Sequence, residues 1–341
     1  MDKILTEGKL LDNKGNLREC GFAYDLVREY NRKDIKGLKS RIKEWDYYLF
    51  LNDDYGVGLT IADNSYMSLV SVNFMDFKFK KHMNKSVMKF FTFGKVGLPS
   101  TSKKGDIVYE DGKNFSFKFL NNGNERHIIV YLKNFTKYSD FKCDFVVSQT
   151  SDKSMVIATP FKKDRHFYYN QKINNLICNG TFSIGERNFK FENALGVLDW
   201  GRGVWTYSNT WYWGSLSYKD KDGAIKGFNL GYGFGDTSAA SENMLFVNKD
   251  AFKLNDVQFL IPKDEKGNYK YEEQWKIISE KGDINMTFDP IVDRNVDMNL
   301  GVLCSLQHQV FGKFNGEIKY KKKSIKINDA LGMAERVVNK W

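Results

Sequence analysis

The stretch from Asn114 to Leu132, NFSFKFLNNGNERHIIVYL, indicates how this chain folds. Phenylalanines alternate with other residues in its first arm, and β-branched residues dominate its second arm. A period of two residues places alternate side chains on opposite faces of a β-strand. The turn NNGNE between the arms contains a glycine, as hairpin turns often do. The stretch therefore predicts an antiparallel β-hairpin.

The same period extends outward along the chain. From Trp45 onward, WDYYLFLN, VGLTIA and YMSLVSVNFMDFKFK are separated by the turns DDYG and DNS, which predicts a meander of strands. Later segments such as GTFSIGERNFKFE and AIKGFNLGYGFG continue it. Residues 23–45 have apolar residues at helical spacing and predict one or two short helices, and residues 327–341 suit either a strand or a helix. These patterns predict a mainly β protein with antiparallel sheets that are closed or strongly curled.

Two parts of the chain echo each other. Trp45 and Trp211 each lead a strand, a turn and a second strand. This echo indicates either a duplicated barrel with a boundary near residues 170 to 190 or a chance similarity, because hairpins of this type are common. We place the N-terminal domain at residues 1–178 and the C-terminal domain at residues 179–341.

The composition excludes several classes of protein. The net charge is +10, but the basic residues are scattered, and the densest runs, Lys78–Lys81 and Lys321–Lys323, are short. We therefore predict no nucleic-acid partner. The cysteines show no CxxC spacing and the histidines no ligand spacing, so no metal site is expected.

The distribution of apolar residues bears on location. The N-terminus, MDKILTEGKLLDNKGN, lacks the apolar core of a signal peptide, and no run approaches the roughly 20 apolar residues of a membrane span. We expect a soluble, cytoplasmic protein with no integral membrane segment. Its oligomeric state does not follow from the sequence.

The richest candidate site is the stretch Asp199–Gly214, DWGRGVWTYSNTWYWG, which holds four of the seven tryptophans. Clustered tryptophans build a heavy core or the wall of a ligand site. Asp199 and Arg202 leave two interpretations open. Asp199 is an acid facing a pocket, with Arg202 orienting it or binding an acidic group of the ligand, or the two residues form a buried ion pair.

Further candidates follow this stretch. The glycine-rich segment Gly227–Asp236, GFNLGYGFGD, lacks the GxxxxGK[ST] pattern of a phosphate loop, so we expect no nucleotide cofactor. Asp236 and Glu242 are substitute acids or turn anchors, because burial beside aromatic residues raises the pKa of a carboxyl group. His308 lies between two glutamines, and alternation turns it to the face opposite both; it is an acid, a base or a hydrogen-bond donor of a barrel lumen, or a core or surface histidine.

Four blocks of sequence carry a resemblance to a known family. They are ALGVLDWGRGVWTYSNTWYWGSLS, GFNLGYGFGDTSAASENMLF, QVFGKFNG and the terminal GMAE. With them the chain resembles the bacterial domain-of-unknown-function family 2804, and more distantly the double lipocalin-like proteins, which include carotenoid hydratases and tocopherol cyclases. The resemblance implies two lipocalin-like, calycin-like antiparallel β-barrels packed side by side with few short helices. It also implies an apolar ligand and no redox cofactor.

Two hypotheses for function remain open at this point. The first is a cofactor-independent hydratase, cyclase or isomerase that acts on a lipophilic or aromatic small molecule through a buried carboxylic acid. The second is a non-catalytic carrier or sensor of a hydrophobic ligand. The candidate catalytic residues are Asp199, Asp236 and Glu242, and the candidate ligand-binding residues are Trp200, Arg202, Trp205, Trp211, Trp213, Asn229 and His308.

Overall fold

A computed structural model describes residues 2–299 and 304–340 of the chain. This part consists mainly of strands, with two single-turn 3-10 helices, Arg32–Asp34 and Lys39–Arg41. Strands β1 (Gly8–Lys9) and β3 (Arg28–Glu29) form a small parallel ribbon. The other strands form two large antiparallel sheets.

The first sheet contains twelve strands. These are β2 (Gly21–Ala23), β4 (Ile42–Leu51), β5 (Tyr55–Asp63), β6 (Met67–Asp76), β7 (Lys81–Phe90), β8 (Ile107–Asp111), β9 (Phe115–Asn121), β10 (Glu125–Thr136), β11 (Ser139–Ser148), β12 (Met155–Pro160), β13 (Phe167–Ile184) and β14 (Arg187–Val204). Its strand order is β7-β6-β5-β4-β14-β13-β11-β10-β9-β8; in addition, β12 pairs with β13, and β2 pairs with β12.

The second sheet contains nine strands. These are β15 (Ser208–Lys219), β16 (Ile225–Tyr232), β17 (Met244–Val247), β18 (Asp250–Lys253), β19 (Val257–Leu260), β20 (Trp275–Ser279), β21 (Ile284–Asn299), β22 (Cys304–Tyr320) and β23 (Lys323–Lys340). Its order is β18-β17-β16-β15-β23-β22-β21-β20-β19.

The predicted hairpin is confirmed as β9 and β10. Phe119 pairs with Ile128, and Phe117 pairs with Val130. These four side chains are buried in the core of the first sheet, as the alternating pattern requires. The mainly β, antiparallel fold predicted from this pattern is therefore correct.

The short helices predicted for residues 23–45 are reduced to two 3-10 turns, and the ambiguous C-terminal segment is a strand. Residues 23–45 contain the two 3-10 turns, while Tyr30, Ile35 and Ile42 are buried in the first core from extended backbone. The C-terminal segment forms β23, which pairs with both β15 and β22. Within residues 2–299 and 304–340, no helix has the length and apolarity needed to cross a membrane.

The chain passes from one sheet to the other between Val204 and Ser208. The boundary placed at residues 178 and 179 instead falls inside β13. Strand β14 pairs with β13 along most of its length, from Phe167–Val204 to Ile184–Arg187. Residues 179–204 therefore belong to the first sheet.

Each sheet curls around its own apolar core. Phe50, Phe117 and Phe145 lie in the first core, and Trp275 and Phe288 lie in the second; all five are buried. Because side chains alternate along a strand, the opposite face of each sheet is available for packing against the other sheet. A further apolar cluster spans this junction and includes Tyr47, Leu49, Val197, Trp213, Phe311 and Met333.

The Lys43 side chain on β4 is fully buried. Its Nζ atom lies 4.0 Å from the centre of the Tyr66 ring and 3.4 Å from the Asn64 carbonyl oxygen. Burial, with a smaller contribution from the charge of Arg41, lowers the pKa of Lys43 from 10.5 to about 7.

This lowered pKa predicts a stability that depends on pH. Between pH 7 and 10.5 the unfolded state holds a proton on Lys43 that the folded state lacks, so the free energy of unfolding rises with pH in this window. We expect the free energy of unfolding of wild type, relative to that of Lys43→Met, to increase by up to about 1.4 kcal/mol for each pH unit. Urea unfolding of both proteins at pH 7, 8 and 9 measures the difference. A constant difference would contradict the prediction.

Candidate functional site

A cavity of about 390 Å³ lies between the two sheets. Strands β4–β7, β13 and β14 line one side, and strands β15 and β21–β23 line the other. Its apolar walls combine aliphatic side chains with seven aromatic ones, which are Trp45, Tyr47, Tyr168, Trp205, Trp211, Trp213 and Phe234. The cavity is therefore built from the outward faces of the curled sheets.

The tryptophan-rich stretch lies at this junction because it joins the two sheets. The rings of Trp205 and Trp211 are 5.9 Å apart, and that of Phe234 lies 4.7 Å from Trp205 and 5.2 Å from Trp211. These edge-to-face contacts are a favourable aromatic geometry. They hold the start of β15 against the end of β14.

Gly201 provides room for another wall residue, Trp45. A β-carbon at position 201 would lie 2.0 Å from Trp45 Cζ2, well inside contact distance. We expect Gly201→Ala to lower the free energy of unfolding by about 1–3 kcal/mol, because the indole must move out of a packed site. Urea unfolding followed by tryptophan fluorescence measures the loss.

Gly37→Ala is the matched control for this prediction. A β-carbon at position 37 would have no neighbour nearer than 4.0 Å. Its effect should stay within about 0.5 kcal/mol. Equal losses in the two variants would show that the contact with Trp45 is not the cause.

Lys172 and Asp199 form a buried ion pair in the cavity. Lys172 Nζ lies 2.8 Å from Asp199 Oδ1 and 3.9 Å from the centre of the Trp213 ring. The Asn170 amide donates a 2.6 Å hydrogen bond to the same oxygen. Among the described residues, no donor is bonded to Asp199 Oδ2. This oxygen belongs to a side chain that lines the cavity, so it can accept a proton or a hydrogen bond there.

Glu242 is a second buried carboxyl group in the cavity. Burial raises its pKa; the charge of Lys172 and a 3.3 Å hydrogen bond from Asn229 oppose the increase, and the charge of Asp199 adds to it. Asn229 Nδ2 also donates to the Glu242 carbonyl oxygen at 2.8 Å, and Asn229 Oδ1 accepts the Trp213 indole N–H at 2.7 Å. Asn229 thereby fixes both an acid and a wall residue.

Glycine at position 231 makes space for the Glu242 carboxyl group. A β-carbon there would lie 2.6 Å from Glu242 Oε1. Among the described residues, no hydrogen-bond donor contacts Oε1. The weakly bonded, buried carboxyl group of Glu242 therefore suits the protonated form.

Glu335 is a third buried carboxyl group and is held more firmly. It accepts hydrogen bonds of 2.9 Å from the Trp211 indole and from the Gln309 amide. Gln309 Oε1 in turn accepts from Arg294 Nε at 3.0 Å and from the Tyr47 hydroxyl at 3.2 Å. Burial raises the pKa of Glu335, and these donors with the charges of Arg294 and Lys172 oppose the increase.

Five of the ten candidate site residues that the sequence analysis named have side chains that line the cavity. They are Asp199, Glu242, Trp205, Trp211 and Trp213. Asn229 supports two of them from behind. Trp200, Arg202, Asp236 and His308 lie elsewhere.

Trp200 and Arg202 lie on the other face of β14. Residues 199 and 202 are separated by an odd number of positions, and in a strand this places their side chains on opposite faces. Arg202 pairs with Asp46 at 3.0 Å and donates to the Trp45 carbonyl at 2.7 Å, while its guanidinium lies 4.3 Å from the Trp200 ring. The ion pair between Asp199 and Arg202 therefore does not form, and Arg202 does not orient Asp199.

Asp236 and His308 also lie away from the cavity. Asp236 is exposed in a turn, where the Ser238 N–H donates to it at 3.0 Å and lowers its pKa. His308 is hydrogen-bonded to Asp293 at 2.7 Å and stacks on Tyr271 at 3.6 Å, while Gln307 and Gln309 point into the cavity. Neither residue is placed to act on a ligand in this cavity.

The sequence reasoning missed Lys172, Arg294 and Glu335. Each is a charged residue within a strand whose alternate positions are largely buried. The clearest signal is Glu335, which directly follows the apolar run ALGMA. A charge at an inward position of a strand indicates either a partner or a site.

The described residues form no metal centre. Within residues 2–299 and 304–340, no group of three or more His, Cys, Asp or Glu side chains is arranged to hold a metal ion. The charged groups of the cavity are three carboxyl groups and two cations, and its other polar groups are amides and hydroxyls. They can bind polar atoms of a ligand and transfer protons.

Comparisons with known proteins bear on family and fold. A family model described as "Domain of unknown function (DUF2804)" matches residues 1–341. No curated protein matches the chain in sequence. A crystal structure described as an AttH protein from Nitrosomonas europaea is similar to this chain, with 11% sequence identity. The alignment covers 90% of this chain and 96% of the AttH chain and has a TM-score of 0.57, so the two proteins share a fold.

Two further solved structures are similar over nearly the whole chain. Kievitone hydratase from Nectria haematococca is 10% identical, with 99% of this chain and 98% of its own covered and a TM-score of 0.48. CghA is 8% identical, with 98% of each chain covered and a TM-score of 0.45.

Proposed function

This chain belongs to the DUF2804 family, and we propose that it binds a lipophilic or aromatic small molecule between its two sheets and protonates it. The observation that carries the proposal is the buried Glu242 carboxyl group in a cavity walled by tryptophans. The reaction class is that of a cofactor-independent hydratase, cyclase or isomerase.

The shape and lining of the cavity support an apolar ligand. Its volume of about 390 Å³ lies within the range of small-molecule sites. Flat aromatic faces from both sheets suit a conjugated or ring-containing molecule. The charged groups provide a few hydrogen bonds that would fix its orientation.

Glu242 is the proposed proton donor. Burial raises its pKa, so the carboxyl group keeps its proton at higher pH than an exposed glutamate would. Asp199 has the complementary role, because the Lys172 ammonium and the Asn170 amide both donate to it and match a carboxylate. The site thus holds an acid and a base.

The proposed reaction begins with transfer of the Glu242 proton to one carbon of a double bond. The π electrons form the new C–H bond, and the neighbouring carbon becomes a cation that the Trp211 and Trp213 faces stabilise. Attack of a water molecule forms the new C–O bond of a hydration and leaves an oxonium ion, whereas attack of a second double bond forms the new C–C bond of a cyclisation and leaves a new carbocation. Loss of a proton to the Asp199 carboxylate completes either of these or an isomerisation.

Isotope labelling tests this proposal before the substrate is known. The protein is incubated in D₂O with an apolar extract of the organism that carries the gene, and the extract is analysed by mass spectrometry. Carbon-bound deuterium in one compound, formed with the protein and absent after heat inactivation, is the expected result. A compound that the protein retains and returns unlabelled would refute the reaction and leave a carrier.

A further inference from the structure

Three phenylalanines are exposed in one short segment. Phe90, Phe91 and Phe93 have exposed fractions of 65%, 69% and 47%, and Met88 just before them has 43%. The rings of Phe90 and Phe91 are 6.3 Å apart, and those of Phe91 and Phe93 are 6.5 Å apart. Contiguous exposed apolar groups of this kind mark interaction sites. We call residues 90–93 the phenylalanine turn.

The backbone of the phenylalanine turn is strained. Phe91 and Phe93 have φ angles of 61° and 46°, a region that bulky residues rarely adopt. Two backbone hydrogen bonds hold this conformation, from Phe91 N–H to the Tyr66 carbonyl at 2.7 Å and from Phe93 N–H to the Ser65 carbonyl at 2.8 Å. Strain that the surrounding structure maintains is characteristic of functional segments. Here it keeps aromatic rings in contact with solvent.

The phenylalanine turn lies at the rim of the cavity. It ends β7, which is the edge strand of the first sheet. Phe90 pairs with Met67, and Met88 pairs with Leu69. Met67, Leu69 and Met88 all line the cavity, so the exposed rings continue its apolar wall outward.

The surroundings of the turn are basic. From Phe77 to Gly105 the chain contains eight lysines and no acidic residue. Lys89 and Lys95 flank the turn; Lys95 is exposed, and Lys89 lies 2.9 Å from Asp111 of the neighbouring β8. Lys85 donates to the carbonyls of Lys133 and Asn134 at 2.9 and 2.6 Å. Two carboxylates thus lie beside the turn: Asp111, which pairs with Lys89, and the buried Asp63, which accepts a 2.8 Å hydrogen bond from the Gly94 N–H. Among the described residues, Lys95 has no ion-pair partner and leaves a positive charge next to the rings.

We propose that the phenylalanine turn docks on an anionic lipid bilayer, with its rings inserted at the interface and the exposed Lys95 beside them against the lipid head groups. Aromatic residues and lysines together are the combination that binds such surfaces. Docking in this way places the rim of the cavity on the membrane, from which an apolar molecule can enter. The proposal stands independently of the reaction that the cavity performs.

Vesicle co-sedimentation of the full chain tests the proposal. The probes are vesicles of phosphatidylcholine alone and of phosphatidylcholine with about one-third phosphatidylglycerol, at low and high salt. Wild type should bind the anionic vesicles more tightly, and salt should weaken binding. The test variant is Phe91→Asn with Phe93→Gly, which removes two rings and suits positive φ angles. We expect its affinity for anionic vesicles to fall by at least about tenfold.

Two controls separate docking from folding and from self-association. The variant should melt at the same temperature as wild type or higher, because the strain is relieved. The second control is Tyr138→Asn, which removes a ring that is 84% exposed and lies outside the phenylalanine turn. This variant should bind vesicles like wild type. Wild type that stays in the supernatant with both vesicle types would overturn the proposal, and so would equal binding by the test variant. A third outcome is that wild type binds no vesicles but associates with itself, and that the test variant does not. This result would identify a second copy of the chain, rather than a bilayer, as the partner of the phenylalanine turn.

Discussion

Glu242→Gln is expected to lower the rate of deuterium incorporation by about 10²–10⁴-fold, which is the usual contribution of a general acid. Glutamine retains the size of the side chain and its bond with Asn229 but has no acidic proton. Ligand retention, measured by native mass spectrometry, should change little. The wild-type rate should fall as pH rises through the raised pKa of Glu242, because only the protonated group donates.

Asp236→Asn is the matched control for this result. Asp236 is an exposed acid six residues earlier in the chain and lies outside the cavity. Its replacement should leave the rate unchanged. Asp199→Asn should slow the reaction while Glu242 remains intact, since it removes the base. A Glu242→Gln protein that keeps the wild-type rate would assign the proton to another group.

Arg202→Met is expected to lower the free energy of unfolding by about 3–5 kcal/mol, the usual cost of removing one partner of a buried ion pair. The Arg202 side chain is fully buried, and its loss leaves the Asp46 carboxyl group without its cation. It also removes the donor to the Pro99 carbonyl at 2.8 Å, which ties residues 91–106 to the first sheet. Urea unfolding measures the loss.

A double variant distinguishes the loss of the ion pair from the loss of packing. Asp46→Asn with Arg202→Met removes both charges, so it should recover a substantial part of the stability lost in Arg202→Met. Burial already raises the pKa of Asp46 despite its cation, which indicates that this carboxylate is costly to bury alone. If Arg202→Met alone lowers the free energy of unfolding by less than about 1 kcal/mol, the ion pair between Arg202 and Asp46 is no stronger than an exposed surface pair, which contradicts the prediction.

The fold was largely predictable from local pattern. Alternation in β9 and β10 specified both their hairpin and the face they bury, and the same period extends through most strands. The division of the sheets was not predictable in this way. Residues 179–204 resemble the preceding strands in pattern, and their assignment to the first sheet depends on pairing between β13 and β14.

The candidate site was predictable in part. The tryptophan cluster and Glu242 were identified because aromatic density and carboxyl groups are visible in sequence. Lys172 and Glu335 were missed because their partners, Asp199 on β14 and Gln309 on β22, lie opposite them on paired strands whose register the sequence does not reveal. A buried charge resembles a surface charge until that pairing is known. Arg202 was misassigned although it stands three residues from Asp199. Strand alternation alone would have separated the two side chains.

The placement of the cavity between the sheets has an evolutionary consequence. Its contacts join residues that are very far apart in the chain, such as Tyr47 with Gln309, 262 positions away, and Asn73 with Arg294, 221 positions away. A substitution on the outward face of one sheet changes the shape and charge that the facing residues of the other sheet contact. If the two sheets arose from one duplicated ancestor, their inner cores could drift independently, whereas their facing surfaces had to change together. The shape of the cavity is therefore a joint property of both sheets.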